Sequence, residues 1–211
     1  MTHPKHADAD HEVLALIRER WSPRAFDAAR PVSMDELWRL FEAARWAPSS
    51  RNEQPWRFVV THRQQSPESY QALFSALDAS NQAWAGTAPV LILAVVQMTV
   101  EQTGEVNRSA YYDTGQAVAL LTLQAQSQGL AIRQMGGFSH AIAREVCQVP
   151  DGFEPAVVVA VGHPGSPEAL VSEKYRAAEL APRRRRCAAD SVFDGVWGRT
   201  LPGTVTRVEK E

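Results

Sequence analysis

The sequence predicts a single soluble α+β domain, and three observations carry that expectation. Two continuous apolar runs, Val90 to Val96 and Ala156 to Val161, have the character of strands covered on both faces. Between them, Ala110 to Gln128 places Val118, Ala119, Leu120, Leu121 and Leu123 all round a helix, which must therefore be buried in a core or against a partner subunit. Of the 211 residues, 45% are hydrophobic and 22% charged, a balance that suits one globular domain.

The elements follow in chain order. Residues 1 to 10 form a polar leader expected to be disordered, and residues 11 to 211 form the domain. Val13, Leu14 and Ile17 recur at helical spacing from His11 to Arg20. Ser22-Pro23 stops that helix, because the residue before a proline is driven out of the α region. Ser33 and Glu36 have the spacing of a capping box, opening a helix through Leu37, Leu40, Phe41 and Ala44 to Trp46, and Pro48 ends it. Trp56 to Thr61 reads as a strand and Pro67 to about Ala79 as a helix. Gly129 closes the long central helix; Leu130 to Gln134 is a short strand and Ala141 to Val146 a short helix. After Gly162 the chain changes character into an extended tail from about residue 164: Pro164, Gly165 and Pro167 interrupt it, and Val192 to Glu211 lacks a clear helical or strand period. This tail carries Tyr175, Phe193 and Trp197 and is too apolar for a free linker, so it is expected to wrap its own domain or a partner.

The same inventory excludes function classes. The longest apolar run, Ala88 to Val96, is broken by Pro89 and is about half of the roughly 20 residues that a membrane-spanning helix needs. The first ten residues contain no apolar signal segment, so a cytoplasmic location is expected. Cys147 and Cys187 have neither the number nor the spacing of a disulfide scaffold or a zinc site, and His3, His6 and His11 lack partners at ligand spacing. A net charge of −2 gives no general attraction to nucleic acid. There is no G-x-S-x-G, G-x-G-x-x-G, Walker or H-E-x-x-H motif, which leaves hydrolase, dehydrogenase, kinase and zinc-protease readings without anchors.

What remains is the arginines. Only Lys5, Lys174 and Lys210 among the 22 basic residues are lysine, a bias that genomic composition alone could produce. Arginine also grips phosphate bidentately, so placement decides. In Arg20-Trp21-Ser22-Pro23-Arg24, the residues Arg20, Ser22 and Arg24 alternate along an extended segment and could offer donors to one anion; the alternative is arginines neutralising a helix C-terminus. The loop Pro48-Ser49-Ser50-Arg51-Asn52 suits hydrogen bonding to a planar or sugar-like ligand, or is an ordinary turn bonding its own backbone. Arg183 to Arg186 form a basic run.

These segments in this order resemble the nitroreductase family of FMN-dependent oxidoreductases, with Asn81-Gln82-Ala83-Trp84, Tyr112-Asp113-Thr114-Gly115, Gly136-Gly137-Phe138 and the Pro182 to Arg186 segment as further landmarks. The resemblance covers about Val13 to Trp197. It implies a central mixed or antiparallel sheet flanked by helices, and a homodimer in which each C-terminal tail embraces the partner subunit and FMN lies at the interface. Arg20, Trp21, Ser22 and Arg24 would line the cofactor, the arginines and the serine reaching its phosphate, ribityl chain and N1 and C2 edge, where positive charge stabilises the reduced ring. Asn81 would bond the pyrimidine part, Gly136 and Gly137 would present a backbone N–H to N5, and Arg183 and Arg185 would grip the phosphate. Arg184 and Arg186 are expected to be solvated. Pro48, Ser49, Ser50 and Asn52 would reach the partner's flavin.

The implied chemistry is ping-pong: NADH or NADPH gives hydride to FMN, leaves, and is replaced by a planar electrophile such as a nitroaromatic or quinone, with no catalytic side chain and no metal. A reductive dehalogenase on the same fold and a non-catalytic binding module are the alternatives, the latter expected to be colourless. Trp21, Trp84 (where some members carry lysine) and Cys187 depart from the common pattern, and the Gln97 to Arg108 stretch is short. Asp113 is expected to cap the central helix, and Cys147 to fill the core.

Overall fold

The computed structural model describes residues 5–203. Among them are seven α-helices: α1 (Ala15–Glu19), α2 (Met34–Arg45), α3 (Pro67–Ser75), α4 (Ala79–Ala85), α5 (Ala110–Ser127), α6 (His140–Val146) and α7 (Glu173–Leu180). One sheet of β1 (Trp56–His62), β2 (Val90–Gln97), β3 (Ala131–Met135) and β4 (Phe153–Gly162) runs antiparallel throughout, in the order β1-β2-β4-β3. The two apolar runs are its inner strands, as their patterning requires.

Strand alternation divides the core into two layers. Leu91, Leu93, Val95, Val158 and Ala160 meet Leu73 of α3, Trp84 of α4 and Ala143 of α6 on one face. Val90, Ile92, Ala94, Val159 and Val161 meet Leu37, Leu40 and Ala44 of α2 and Ala117, Val118, Leu121 and Ala125 of α5 on the other. Each of these large aliphatic side chains contributes about 1.5–3 kcal/mol by leaving water. The capping box is in place, with Ser33 Oγ accepting the Glu36 N–H at 3.2 Å and Glu36 Oε2 accepting the Ser33 N–H at 2.8 Å. Gly129, at φ 70°, ends α5 in a conformation that glycine adopts without strain.

Four expectations change. The first helix forms only over Ala15–Glu19, since Val13 and Leu14 find no core and nothing in α1 is buried. The helix expected from Pro67 to Ala79 ends at Ser75, and a separate helix, α4, starts after Asp78, whose carboxylate accepts the Asn81 N–H at 2.8 Å. The tail carries α7, which the sequence pattern does not show. The leader, as far as it is described, packs down: Lys5 is buried and the Ala7 N–H donates to Arg18 O at 2.8 Å.

Candidate active site

The segment leaving α1 is extended at Arg20 (φ −59°, ψ 128°), and Arg20 Nη1 donates to Ser22 Oγ at 3.2 Å. The tail folds back onto this segment. Glu179 of α7, 3% exposed, accepts the Arg24 N–H at 3.1 Å and the Ala25 N–H at 3.5 Å, and its carboxylate lies 3.8 Å from the Arg24 guanidinium. That guanidinium stacks over Tyr175 at 4.9 Å, and the Tyr175 hydroxyl donates to Ser80 O at 3.0 Å. Arg183 donates to the carbonyls of Arg20 and, at 2.7 Å, Arg18, satisfying acceptors that the end of α1 leaves open. Arg20, Ser22, Arg24 and Arg183 therefore meet in space, although the chain separates the first three from the fourth by most of its length. Arg185 is exposed beside them, and Arg184 and Arg186 are exposed as well.

Arg133 joins this cluster from β3. It shares the sheet face of Ala131 and Met135, stacks over the buried Trp84 ring at 5.3 Å, and donates to Ser22 O at 2.5 Å. The electrostatics are those of crowded like charges. Burial, and then Arg185, push the Arg20 guanidinium below its usual pKa; burial, Arg20 and Arg185 do the same to Arg183. Arg133 is lowered by burial and by Arg24, and Lys5 by burial and by Arg24, Arg183 and Arg133 against the opposing pull of Glu179. Among the described residues, Arg20, Arg133, Arg183 and Arg185 form no ion pair, and the buried carboxylate beside them, Glu179, is engaged with backbone N–H groups and Arg24.

Asn81 and Gly137 form the neighbouring wall. Gly137 O accepts both the Asp78 N–H and Asn81 Nδ2 at 3.0 Å. A Cβ at Gly137 would overlap the Asp78 carboxylate and stand 3.0 Å from Asn81 Nδ2, whereas Gly136 has open space around it. Glycine is needed at 137 for packing, and Gly136 is the position that leaves room.

Residues 17–163 match the family model described as the nitroreductase family. The chain belongs to the nitroreductase family. Arg183 and Arg185 lie beyond the matched span; Arg183 reaches the site through its bonds to the Arg18 and Arg20 carbonyls, and Arg185 lies close enough to lower the pKa of both Arg20 and Arg183. The solved structure of an oxidoreductase containing FMN is 32% identical and superposes with a TM-score of 0.86 over 95% of this chain and 100% of that one. An uncharacterised 15.4 kDa protein of Mycolicibacterium smegmatis, encoded in the ask 5′ region, is 34% identical over 69% of this chain and 99% of its own length. A Bacillus subtilis protein provisionally named NAD(P)H nitroreductase YodC is 23% identical over 71% of this chain and 88% of its own.

In this nitroreductase-family chain, the loop with Pro48, Ser49, Ser50 and Asn52 does not meet the arginines. It leads into Trp56, which pairs with Val96, whereas Arg133 stands in the row of Ala160, Leu91 and Thr61. Five residues along β1 and three strand spacings across the sheet separate the two by on the order of 20 Å. The Ser50 N–H donates to the buried Asp113 carboxylate at 2.9 Å, and Ser49 Oγ accepts the Gln54 N–H at 3.1 Å. Asp113 thus anchors the loop rather than capping α5, whose cap residue is Ser109 with no side-chain bond. Arg51, Asn52 and Gln54 hold φ of 54°, 58° and 48°, a left-handed run that sets the loop's path. Trp21 packs with Lys5 at 5.4 Å and lines a cavity of about 390 Å³ with Gly129, Leu130 and Leu180, which none of the arginines line.

Sequence reasoning missed Arg133, Glu179 and Tyr175. One signal for Arg133 was available: strand alternation puts it between Ala131 and Met135 on a face that should be apolar.

Proposed function

We propose that this chain is an FMN-dependent oxidoreductase that uses NADH or NADPH to reduce planar electrophiles such as nitroaromatics or quinones, by a ping-pong mechanism. The observation that carries the reading is the convergence of Arg20, Arg133, Arg183 and Arg185 with no carboxylate partner among the described residues. Like charges crowded together and partly withdrawn from water destabilise one another until an anion joins them, and guanidinium groups with unused N–H donors fit a phosphate monoester. The likeness to an oxidoreductase containing FMN points to the same ligand.

When bound, FMN supplies hydride transfer at its N5. The chain's own residues hold and orient it. Arg20, Ser22 and Arg24 would hold the phosphate, the ribityl chain and the N1 and C2 edge of the ring, with Arg183 and Arg185 on the phosphate, each charge-assisted bond contributing roughly 1.5–3 kcal/mol. Glu179 fixes the backbone from which Arg24 projects, so that side chain is set before the ligand arrives. Asn81 and Gly137 form one wall, and the open space at Gly136 leaves backbone accessible to a ring.

The assembly belongs to the same reading: a homodimer in which the loop with Ser50 and Asn52 serves the partner's cofactor and the tail embraces the partner. Three features support it. The loop lies far from its own chain's arginines, α5 exposes Tyr112 and Ala119, and a groove of about 610 Å³ beside β1 presents Trp38, 65% exposed. Val196 and Trp197 of the tail are exposed too. The absence of any helix long and apolar enough to cross a membrane, among the described residues, is compatible with the expected cytoplasmic location.

Absorbance of freshly purified protein tests the reading. A yellow protein, bleached by NADH or NADPH under argon and carrying less flavin as Arg24→Ala, is expected. A colourless protein that takes up no FMN, or an Arg24→Ala variant with full flavin content, would overturn it.

A further inference from the structure

The cations of the site divide into two groups. Arg20, Arg183 and Arg185 act on one another, whereas Arg133 is acted on by Arg24 and by neither Arg183 nor Arg185; Lys5 stands within reach of both groups. The first group sits where the tail crosses the end of α1. The second sits over the inner sheet face, against Trp84, and Trp84 is one helical turn beyond Asn81 on α4, so the two side chains share a helix face.

Arg133 is costly where it stands. Its neighbours Ala131 and Met135 are buried, it is half-buried itself, and among the described residues only one of its five N–H donors finds a hydrogen-bond acceptor, Ser22 O. Tying the Ser22 backbone to the sheet needs a donor there and no charge. The Trp84 ring beneath it holds the guanidinium plane in one orientation, leaving its edge to face a ligand.

Resting on the FMN reading above, we propose that Arg133 is a cofactor-binding residue of the second pole: with Arg24 it recognises the ring portion of the flavin, and the Arg20, Arg183 and Arg185 group recognises the phosphate. The two poles make the site selective for a ligand that is electron-rich at both ends, and Trp84 is the platform that sets the Arg133 guanidinium.

The test compares FMN with riboflavin, which has the ring and lacks the phosphate. Wild-type protein stripped of cofactor, Arg133→Gln and Arg183→Gln are titrated with both, following flavin fluorescence. Glutamine at 133 keeps a donor for Ser22 O and loses the charge, and thermal melts establish that each variant is folded. Arg133→Gln is expected to weaken both ligands by about ten-fold, the loss of one charge-assisted bond. Arg183→Gln should weaken FMN by a similar factor and leave riboflavin unchanged, and Arg133→Lys should recover part of both losses. Unchanged affinities in Arg133→Gln would reduce Arg133 to a backbone tie, and a loss confined to FMN would move it to the phosphate pole; either overturns the proposal. A wild-type protein that binds neither flavin would instead overturn the cofactor reading and this assignment with it.

Discussion

Glu179 decides how the site's cations are presented. It is buried and accepts two backbone N–H groups of the segment it faces, so removing it strands those donors and leaves Arg24 beside other cations. Glu179→Ala is expected to lower stability by about 2–3 kcal/mol, read from urea unfolding, with FMN affinity falling alongside. Gly136 and Gly137 make a matched pair at the same scale. Gly137→Ala should displace Asp78 from its α4 cap, at a cost of about 1 kcal/mol or more, and weaken flavin binding, whereas Gly136→Ala should fold normally. Alternation at Arg20 and Arg24 and the basic run at Arg183 are local patterns that mark these arginines as candidates, and the family resemblance is what points them at one ligand. Arg133 shows in the sequence only as a charge on an apolar strand face, and Glu179 not at all, since what defines them is which residues they face across the fold: Ser22 across 111 positions, and Arg24 across 155.

At the scale of elements, periodicity located the strands and the two long helices, whose signals span many residues. It failed where a short signal competed with tertiary contacts. Asp78 reads as the end of one helix in sequence, yet its N–H donates to Gly137 O and its carboxylate caps the next, so α3 and α4 separate and Asn81 turns toward the site. The capping box of α2 lies away from the arginines, and Ser33→Ala should cost about 1 kcal/mol with FMN affinity unchanged. Tyr70 of α3 gives the fold an alkaline limit. Its hydroxyl donates to Ala85 O at 3.2 Å and Ala88 O at 2.8 Å, and burial raises its pKa from 10 to about 12. Because the folded value is the higher, the protonated phenol stabilises the fold fully below pH 10, and that contribution, about 2–3 kcal/mol, is lost as pH rises through 12. Urea midpoints should fall across that window, and Tyr70→Phe should flatten the fall while lowering stability at pH 8.

At the scale of the molecule, the proposed homodimer would bring the Ser50 loop, which lies far from the arginines of its own chain, to the partner's site. Hybrid dimers test this. A chain carrying Arg20→Ala and Arg24→Ala, combined with one carrying Asn52→Ala, should regain about half of the wild-type flavin content, because one of the two interfaces then has both parts intact. No recovery beyond that of the parent variants would contradict a shared site. The elements were legible because two long apolar strands and a helix apolar on every side have to be buried together, and their arrangement followed from the family resemblance. The assembly was not, because an exposed aromatic such as Trp38 or Trp197 carries no mark of what covers it. The central claim is that arginines from both ends of the chain, with Arg133 between them, form a binding site for FMN. Titration of the stripped protein with FMN tests it most directly: saturable binding of one FMN per chain, weakened about ten-fold or more by Arg20→Ala and by Arg183→Ala, is the expected result. Failure to bind FMN, or binding that neither substitution alters, would contradict it.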